Sequence, residues 1–346
     1  MSLFFPVHRP STGLSFTERG IALVELRRGW HRPPGIVRIN ERPLPEGVLK
    51  LSASEPNVKN REVLAKELRA LVATSSERTL AVCLPDRVCH LALFPFETLP
   101  SRERDREQII RWRFQHEEHV TVGDARIMHR VFPVRAAVST TQAETKPIMR
   151  WSFSMNSISP LGLVTSYVLA MAIKRSVLDQ YEQICREVGL LPISISCAVL
   201  WLFDFYRPMM TQADELFFVH QASDSMTFFA IRQGIPVFCR MKAQRRGKAD
   251  VMSEIQSTLQ FYEDLHPLGG TARGSRSVPI YMVGEGFSRI GGAAGQLARH
   301  EAITTGKQAS STLQPILPDW KTLVSTKGGT VSSEEGLYAL ACAGGR

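Results

Sequence analysis

The sequence of 346 residues has six cysteines, Cys83, Cys89, Cys185, Cys197, Cys239 and Cys342, and no two of them are close enough to form a C-x-x-C pair. That spacing excludes the common zinc-ribbon pattern and reads as reduced, mostly buried thiols rather than a disulfide framework. Long apolar runs are also missing. The longest, Leu161 to Ile173, is interrupted by Thr165, Ser166 and Tyr167 and is too short to span a bilayer. The opening MSLFFPVHRPS lacks a basic region followed by an apolar core, so no secretory signal is expected and the chain reads as soluble and intracellular. No G-x-S-x-G elbow, Walker-type phosphate loop or HExxH helix occurs, which leaves a hydrolase, P-loop or zincin reading without support.

Acids are the scarcer charge, with 33 Asp and Glu against 42 Lys and Arg, for a formal net charge of +9. The excess is mostly Arg scattered along the chain. Of the two dense runs, Arg102 to Arg113 mixes both signs along a helical stretch, whereas Lys242 to Lys248 is a purely basic loop. Solvated faces explain both, so no nucleic-acid partner is expected. Arg245, Arg246 and Lys248 could still add weak attraction to anionic lipid.

What the chain does have is alternation of strands and helices in two similar rounds. Gly13 to Arg27 reads as two strands around Glu18-Arg19-Gly20, and Ile36 to Arg42 as a third, ended by the prolines that follow. Asn60 caps a helix through Ala73, and Leu80 to Leu84 is a buried strand. Val88 to Phe94 is a strand broken at Pro95, followed by a helix from the cap Ser101 to about His119 and a strand from Ala125 to Pro133. Residues 138–159 have no period and read as a mobile insertion. Thr165 to Ile173 is a buried strand, Ser176 caps a helix ended by Gly189, Ile193 to Cys197 is a strand, and Ala198 to Tyr206 a buried helix.

The second round opens with a meander, Leu216–Val219, Met226–Ile231 and Pro236–Arg240. A helix capped by Asp250 runs to His266, followed by a loop at 269–277, a strand at Pro279–Val283 and a helix at 290–297. A short strand at 302–303 and a loop-rich stretch at 308–329 lead to a closing helix from Ser333 to Ala343. This βββαβα order, occurring twice, predicts an α/β molecule of two related lobes.

Candidate chemistry is sparse. His116-Glu117-Glu118-His119 has metal-ligand letters, but the three-residue spacing and the lack of a third ligand favour the end of a charged helix. Gly284-Glu285-Gly286 resembles part of a dinucleotide fingerprint, yet Arg289 stands at the third glycine position. No catalytic or metal-ligating residue is assigned.

The succession GLSFTERGIALVELR, PLPEGVLK, LAVCLPDRV, LPSRERDREQIIRWRFQHEEHV and VLDQYEQICREVGLLPISISCAVLWL resembles the PilM-like proteins, actin-like cytoplasmic proteins of type IV pilus assembly. In the second half LFFVHQASDSMTFFAIRQGIPVFCR, SEIQSTLQFYEDL, IYMVGEGFSRIGGAAGQL and LYALACAGGR extend the resemblance. It implies an actin-like (ribonuclease H-like) fold. Residues 11–87 and 174–212 would form the first lobe, 88–173 an inserted 1C-type subdomain, and 213–346 the second lobe, with a 2B subdomain reduced or absent. It implies as partner the N-terminal cytoplasmic peptide of a PilN-like single-pass inner-membrane protein, together with other assembly-platform proteins and peripheral membrane association. Leu91, Leu93, Pro95, Thr165 and Tyr167 are the positions where strand edges would accept that peptide.

Departures from the family pattern bear on ATP. Nucleotide-binding members begin G-I/L-D-I/L-G, whereas here Ser15 stands at the acid and Thr17 at the glycine. At the second hairpin, typically D-I/L-G, His220 and Ala222 stand in. Two carboxylates that would position Mg²⁺ and two glycines that let phosphate approach are thus missing. Gly284, Glu285 and Gly286 remain as a loop that could take adenine. The expectation is a degenerate member that does not hydrolyse ATP. The alternatives are an active ATPase binding ATP with Mg, or the cytoplasmic part of a type II secretion platform.

Overall fold

The computed structural model describes residues 10–28, 33–134, 164–210, 213–243, 251–265, 276–284, 311–316, 318–326 and 329–344. Several sequence expectations lie outside these residues: the 138–159 insertion, Arg245, Arg246, Lys248, the Asp250 cap, most of the 269–277 loop, Glu285, Gly286, the 290–297 helix and the 302–303 strand.

The first round of elements is β1 (Thr12–Phe16), β2 (Gly20–Arg27), β3 (Gly35–Pro43), α1 (Arg61–Val72), β4 (Thr79–Leu84), α3 (Arg175–Glu187), β8 (Leu191–Cys197) and α4 (Ala198–Tyr206). The second is β9 (Glu215–Gln221), β10 (Ser225–Arg232), β11 (Ile235–Ala243), α5 (Val251–Leu265), β12 (Arg276–Gly284), β13 (Ser311–Ile316) and the closing helix α6 (Glu334–Gly344). Their sheets have the same order: β3-β2-β1-β4-β8 in one and β11-β10-β9-β12-β13 in the other. In both, three antiparallel strands are continued by two parallel ones, β1 onto β4 and β8, β9 onto β12 and β13. The internal duplication expected from the sequence is therefore topological as well as sequential.

Between β4 and α3 lies a small subdomain of β5 (His90–Phe96), α2 (Glu103–His116), β6 (Ala125–Pro133) and β7 (Ser166–Lys174), with sheet order β5-β7-β6. One face of this sheet packs on α2 through Phe94, Phe96, Ile110, Phe114 and Val168. The other presents Leu169 and Met171 to the main core, with Leu91 and Leu93 packed beside them. Between β11 and α5 only residues 244–250 intervene, too few to build a further subdomain.

One core cluster runs through both lobes, and a separate one lies between the second sheet and α5. Every residue of α4, AVLWLFDFY, is buried, and its Phe203 ring contacts Phe218 of β9 and Phe229 of β10, both at 5.6 Å between centroids. Helix α6 packs against β1, β2 and β4 of the first sheet. Gly13 on β1 makes this possible, since a Cβ there would lie 2.1 Å from the Ala339 carbonyl oxygen of α6.

Local signals explain most element ends. Asn60 caps α1 by accepting from Val63 N at 3.1 Å, and Gly189 ends α3 in the left-handed conformation, φ 77°. Other ends differ from expectation. Helix α2 starts after Arg102 with no side-chain cap, and it stops at His116, three residues before His119 turns left-handed at φ 54°. Helix α3 begins at Arg175 without using Ser176 as cap. Strand β5 runs through Pro95, which is tolerated because β5 is an edge strand of its sheet. Strand β13 lies in the stretch read as loop, its Pro315 at the outer edge of the second sheet.

Candidate functional site

The β1–β2 and β9–β10 hairpins open the two sheets, and their tips carry the positions singled out in the sequence. The first tip is closed by the chain's own acid. Thr17 Oγ1 accepts from Arg19 N at 3.1 Å and Gly20 N at 3.0 Å, and donates to Glu335 Oε1 of α6 at 2.6 Å. Ser15, fully buried, donates from Oγ to the Glu335 carbonyl oxygen at 2.6 Å. At the turn itself Glu18 Oε1 accepts from Leu51 N at 3.3 Å.

The second tip is held by backbone, with Ala222 N donating to Ser225 O at 2.9 Å. Asp224, beside it, takes Arg87 Nη1 at 3.3 Å, an ion pair that crosses from one lobe to the other. Burial pushes the Asp224 carboxyl above its ordinary range; Arg87 works against that, and the Glu18 carboxylate of the opposite tip adds to it.

Beneath the tips a chain of buried polar groups joins three elements. His220 of β9 is fully buried; its Nδ1 lies 2.7 Å from Asp86 Oδ2, and its Nε2 lies 2.8 Å from the Tyr338 hydroxyl of α6. Tyr338 in turn donates to Glu334 Oε1 one helical turn earlier. Asp86 Oδ1 accepts the Val199 amide at 2.9 Å, which anchors the start of α4. Asp86 follows β4 in the first lobe, so the chain ties first lobe, second lobe and closing helix together. Burial, then the Glu334 and Asp86 anions, hold the Tyr338 phenol well above its usual range and so keep its hydrogen in place. Of the residues singled out in the sequence, the structure gathers Ser15, Thr17, His220 and Ala222 here. Asp86, Tyr338, Glu334 and Glu335 escaped sequence reasoning, since none belongs to a local motif.

Gly284 ends β12 opposite Gln221 of β9, with φ +126°. A Cβ there would meet the Gln221 carbonyl oxygen at 1.9 Å, so the glycine is required by strand approach. Gly284 also walls a cavity of about 860 Å³ whose other sides include Arg19, Glu41, Arg42, Trp320 and Glu335.

The positions expected to accept a peptide are only partly at an edge. Strand β7 is central, paired with β5 on one side and β6 on the other, so no strand can be added along it. That corrects the expectation for the backbone of Tyr167, whose side chain is also buried. Thr165, just before β7, is exposed and its hydroxyl donates to Glu97 O at 2.8 Å. Leu91, Leu93 and Pro95 lie half-buried on the edge strand β5. Pro95 has no N–H, and its carbonyl already accepts from Arg113 Nη1 at 2.5 Å, which blunts that end of the edge. Among the described residues no helix is long and apolar enough to cross a membrane. The six thiols are free, five of them buried.

No protein-family model matches the sequence, and no curated protein matches it. Solved structures do. The structure of a PilM-PilN type IV pilus biogenesis complex matches with a TM-score of 0.62 at 17% identity, covering 98% of both chains. A Bacteroides thetaiotaomicron protein with an actin-like ATPase fold and unknown function covers 95% of this chain and 94% of its own, at TM-score 0.48 and 8% identity. The cytoplasmic domain of EpsL, an inner-membrane component of the Vibrio cholerae type II secretion system, covers 79% of this chain and 82% of its own, at TM-score 0.42 and 9% identity. With its two like-ordered sheets, shared core and crossing terminal helix, this chain has the actin-like two-lobed fold, similar over nearly its whole length to that of the pilus biogenesis complex.

Proposed function

We propose that the chain is a non-catalytic actin-fold adaptor of a type IV pilus or related secretion assembly platform, which binds the N-terminal cytoplasmic peptide of a PilN-like inner-membrane protein. In this reading it sits in the cytoplasm and reaches the inner membrane through that partner. The observation that carries it is the occupation of the phosphate positions by the chain's own side chains. Glu335 takes the hydroxyl of Thr17, and His220 is committed to Asp86 and Tyr338. These residues do not fit Mg·ATP. A phosphate at either tip would approach the Glu18 or the Asp224 carboxylate, and like charges repel. The turns also offer side chains where backbone must come close.

For the partner, the likeness to a chain solved with PilN supports the class, and the inserted subdomain supports the place. The proposed contact comprises the exposed Thr165 and the half-buried Leu91, Leu93 and Pro95 of β5, with the buried Tyr167 paired beside Pro95. The competing reading, an ATP-binding ATPase, rests on the cavity beside Gly284. Calorimetry on the purified chain separates the two. Adaptor function gives no heat with millimolar Mg·ATP and micromolar binding of an N-terminal peptide from a membrane protein encoded beside it. Micromolar ATP binding with turnover would overturn the adaptor reading.

A further inference from the structure

Strand β5 is an edge of the three-stranded sheet, and two hydrogen bonds show which of its main-chain groups face outward. The Phe96 carbonyl accepts the Thr165 amide at 2.8 Å, on the side of β7, whereas the Pro95 carbonyl accepts from Arg113 instead. Main-chain groups alternate sides along an antiparallel ladder, so Leu91 and Leu93 share the sense of Pro95 and turn their N–H and C=O away from β7.

Strand β11 of the second lobe runs against β5. Leu91 and Leu93 on one strand and Ile235, Val237 and Cys239 on the other are half-buried on the same core cluster, yet β5 and β11 belong to different sheets with no ladder between them. Both ends of this contact carry a charge that reaches across the lobes. Arg87, just before β5, pairs with Asp224 at 3.3 Å. Beside Pro95, burial raises the Tyr167 phenol, and the Arg232 guanidinium at the end of β10 works against it.

We propose that β11 and an incoming extended peptide compete for β5, so that partner binding parts the inserted subdomain from the second lobe. A strand added to β5 lies about 4.8 Å from it and needs the apolar surface that Leu91 and Leu93 now share with β11. The peptide gains ladder hydrogen bonds that β11 does not make, and these let it displace side-chain contacts alone. The inference deepens the adaptor reading and rests on it. The apparent peptide affinity is then the intrinsic one multiplied by the fraction of molecules in which β5 is uncovered.

Calorimetry and amide hydrogen exchange on the full chain test this, with the N-terminal peptide of a membrane protein encoded beside this chain as the probe. Val237→Asp sets a carboxylate against the apolar side chains of β5, and Val237→Ala only thins the contact; should the aspartate prevent folding, the alanine variant carries the test alone. If β5 is uncovered about a tenth of the time in the wild type, Val237→Asp binds the peptide up to about ten-fold tighter, and Val237→Ala changes in the same direction by less. In the wild type, peptide should slow exchange in β5 and quicken it in β11. Equal or weaker affinity in the variants overturns the competition, as does joint protection of both strands. Failure of the adaptor reading looks different: none of the three chains then binds the peptide, and this inference falls with it.

Discussion

Gly13 and Gly284 show how little room single residues have here. Each lies under a backbone oxygen, Ala339 O at 2.1 Å and Gln221 O at 1.9 Å from the place a Cβ would take. Backbone cannot swing aside as a flexible side chain can. Gly13→Ala and Gly284→Ala should each cost roughly 2–4 kcal/mol, read as a shift in the denaturation midpoint. Thr17 is bound differently, through one hydroxyl that serves two amides and the Glu335 carboxylate. Thr17→Val keeps the shape and removes all three, with an expected loss of about 1–3 kcal/mol in the same measurement. His90 carries a pH signature. Burial holds its imidazole below the usual range, so its contribution is present above about pH 6.5 and is lost as pH falls through the depressed value. His90→Gln should flatten the acid limb of stability against pH; an unchanged limb would show that another group governs it.

At the scale of elements, Arg113 ties helix α2 to strand β5 of the inserted subdomain. Its guanidinium lies over Phe94 at 4.7 Å and Phe96 at 4.9 Å, pairs with both oxygens of Glu117, and reaches the Pro95 carbonyl. A lysine retains charge but neither the planar fork nor the stacking. Arg113→Lys should cost about 1–2 kcal/mol and raise amide hydrogen exchange in β5 and α2 before the rest of the molecule. This is also the scale at which sequence reading thinned out. Strands β1, β2, β4, β9 and β10 announced themselves as apolar runs between turn residues. Strand β13 did not, because Pro315 and its polar neighbours look like loop until the free edge of a sheet accommodates them. The early end of α2 was equally hidden, since His119 is an ordinary residue in an unusual conformation.

For the whole molecule, the comparison that matters is between a nucleotide and the buried Asp86–His220–Tyr338 contacts as the link between lobes. A nucleotide at 100 times its dissociation constant would add about 2.7 kcal/mol to folding stability. Millimolar Mg·ATP is expected to leave the unfolding midpoint of this chain where it is, and a rise of several degrees would contradict the reading of the hairpins. The shared core points the same way. Phe203 of α4, packed against Phe218 and Phe229, already fixes one lobe on the other.

Periodicity and turn residues by themselves determined the duplicated βββαβα order, the hairpins and the buried α4, and set beside the family resemblance they left both turns without its acid and glycine. These are local properties, legible because hydrophobic spacing and backbone conformation are set within a few residues. Only the tertiary structure decided what replaced the missing pattern. Asp86 and His220 stand 134 residues apart, His220 and Tyr338 118, and Ser15 and Glu335 320. No local signal links such groups, because each was an ordinary polar residue until the fold removed water from around it. Burial then made a partner obligatory, and the two lobes supplied it to each other.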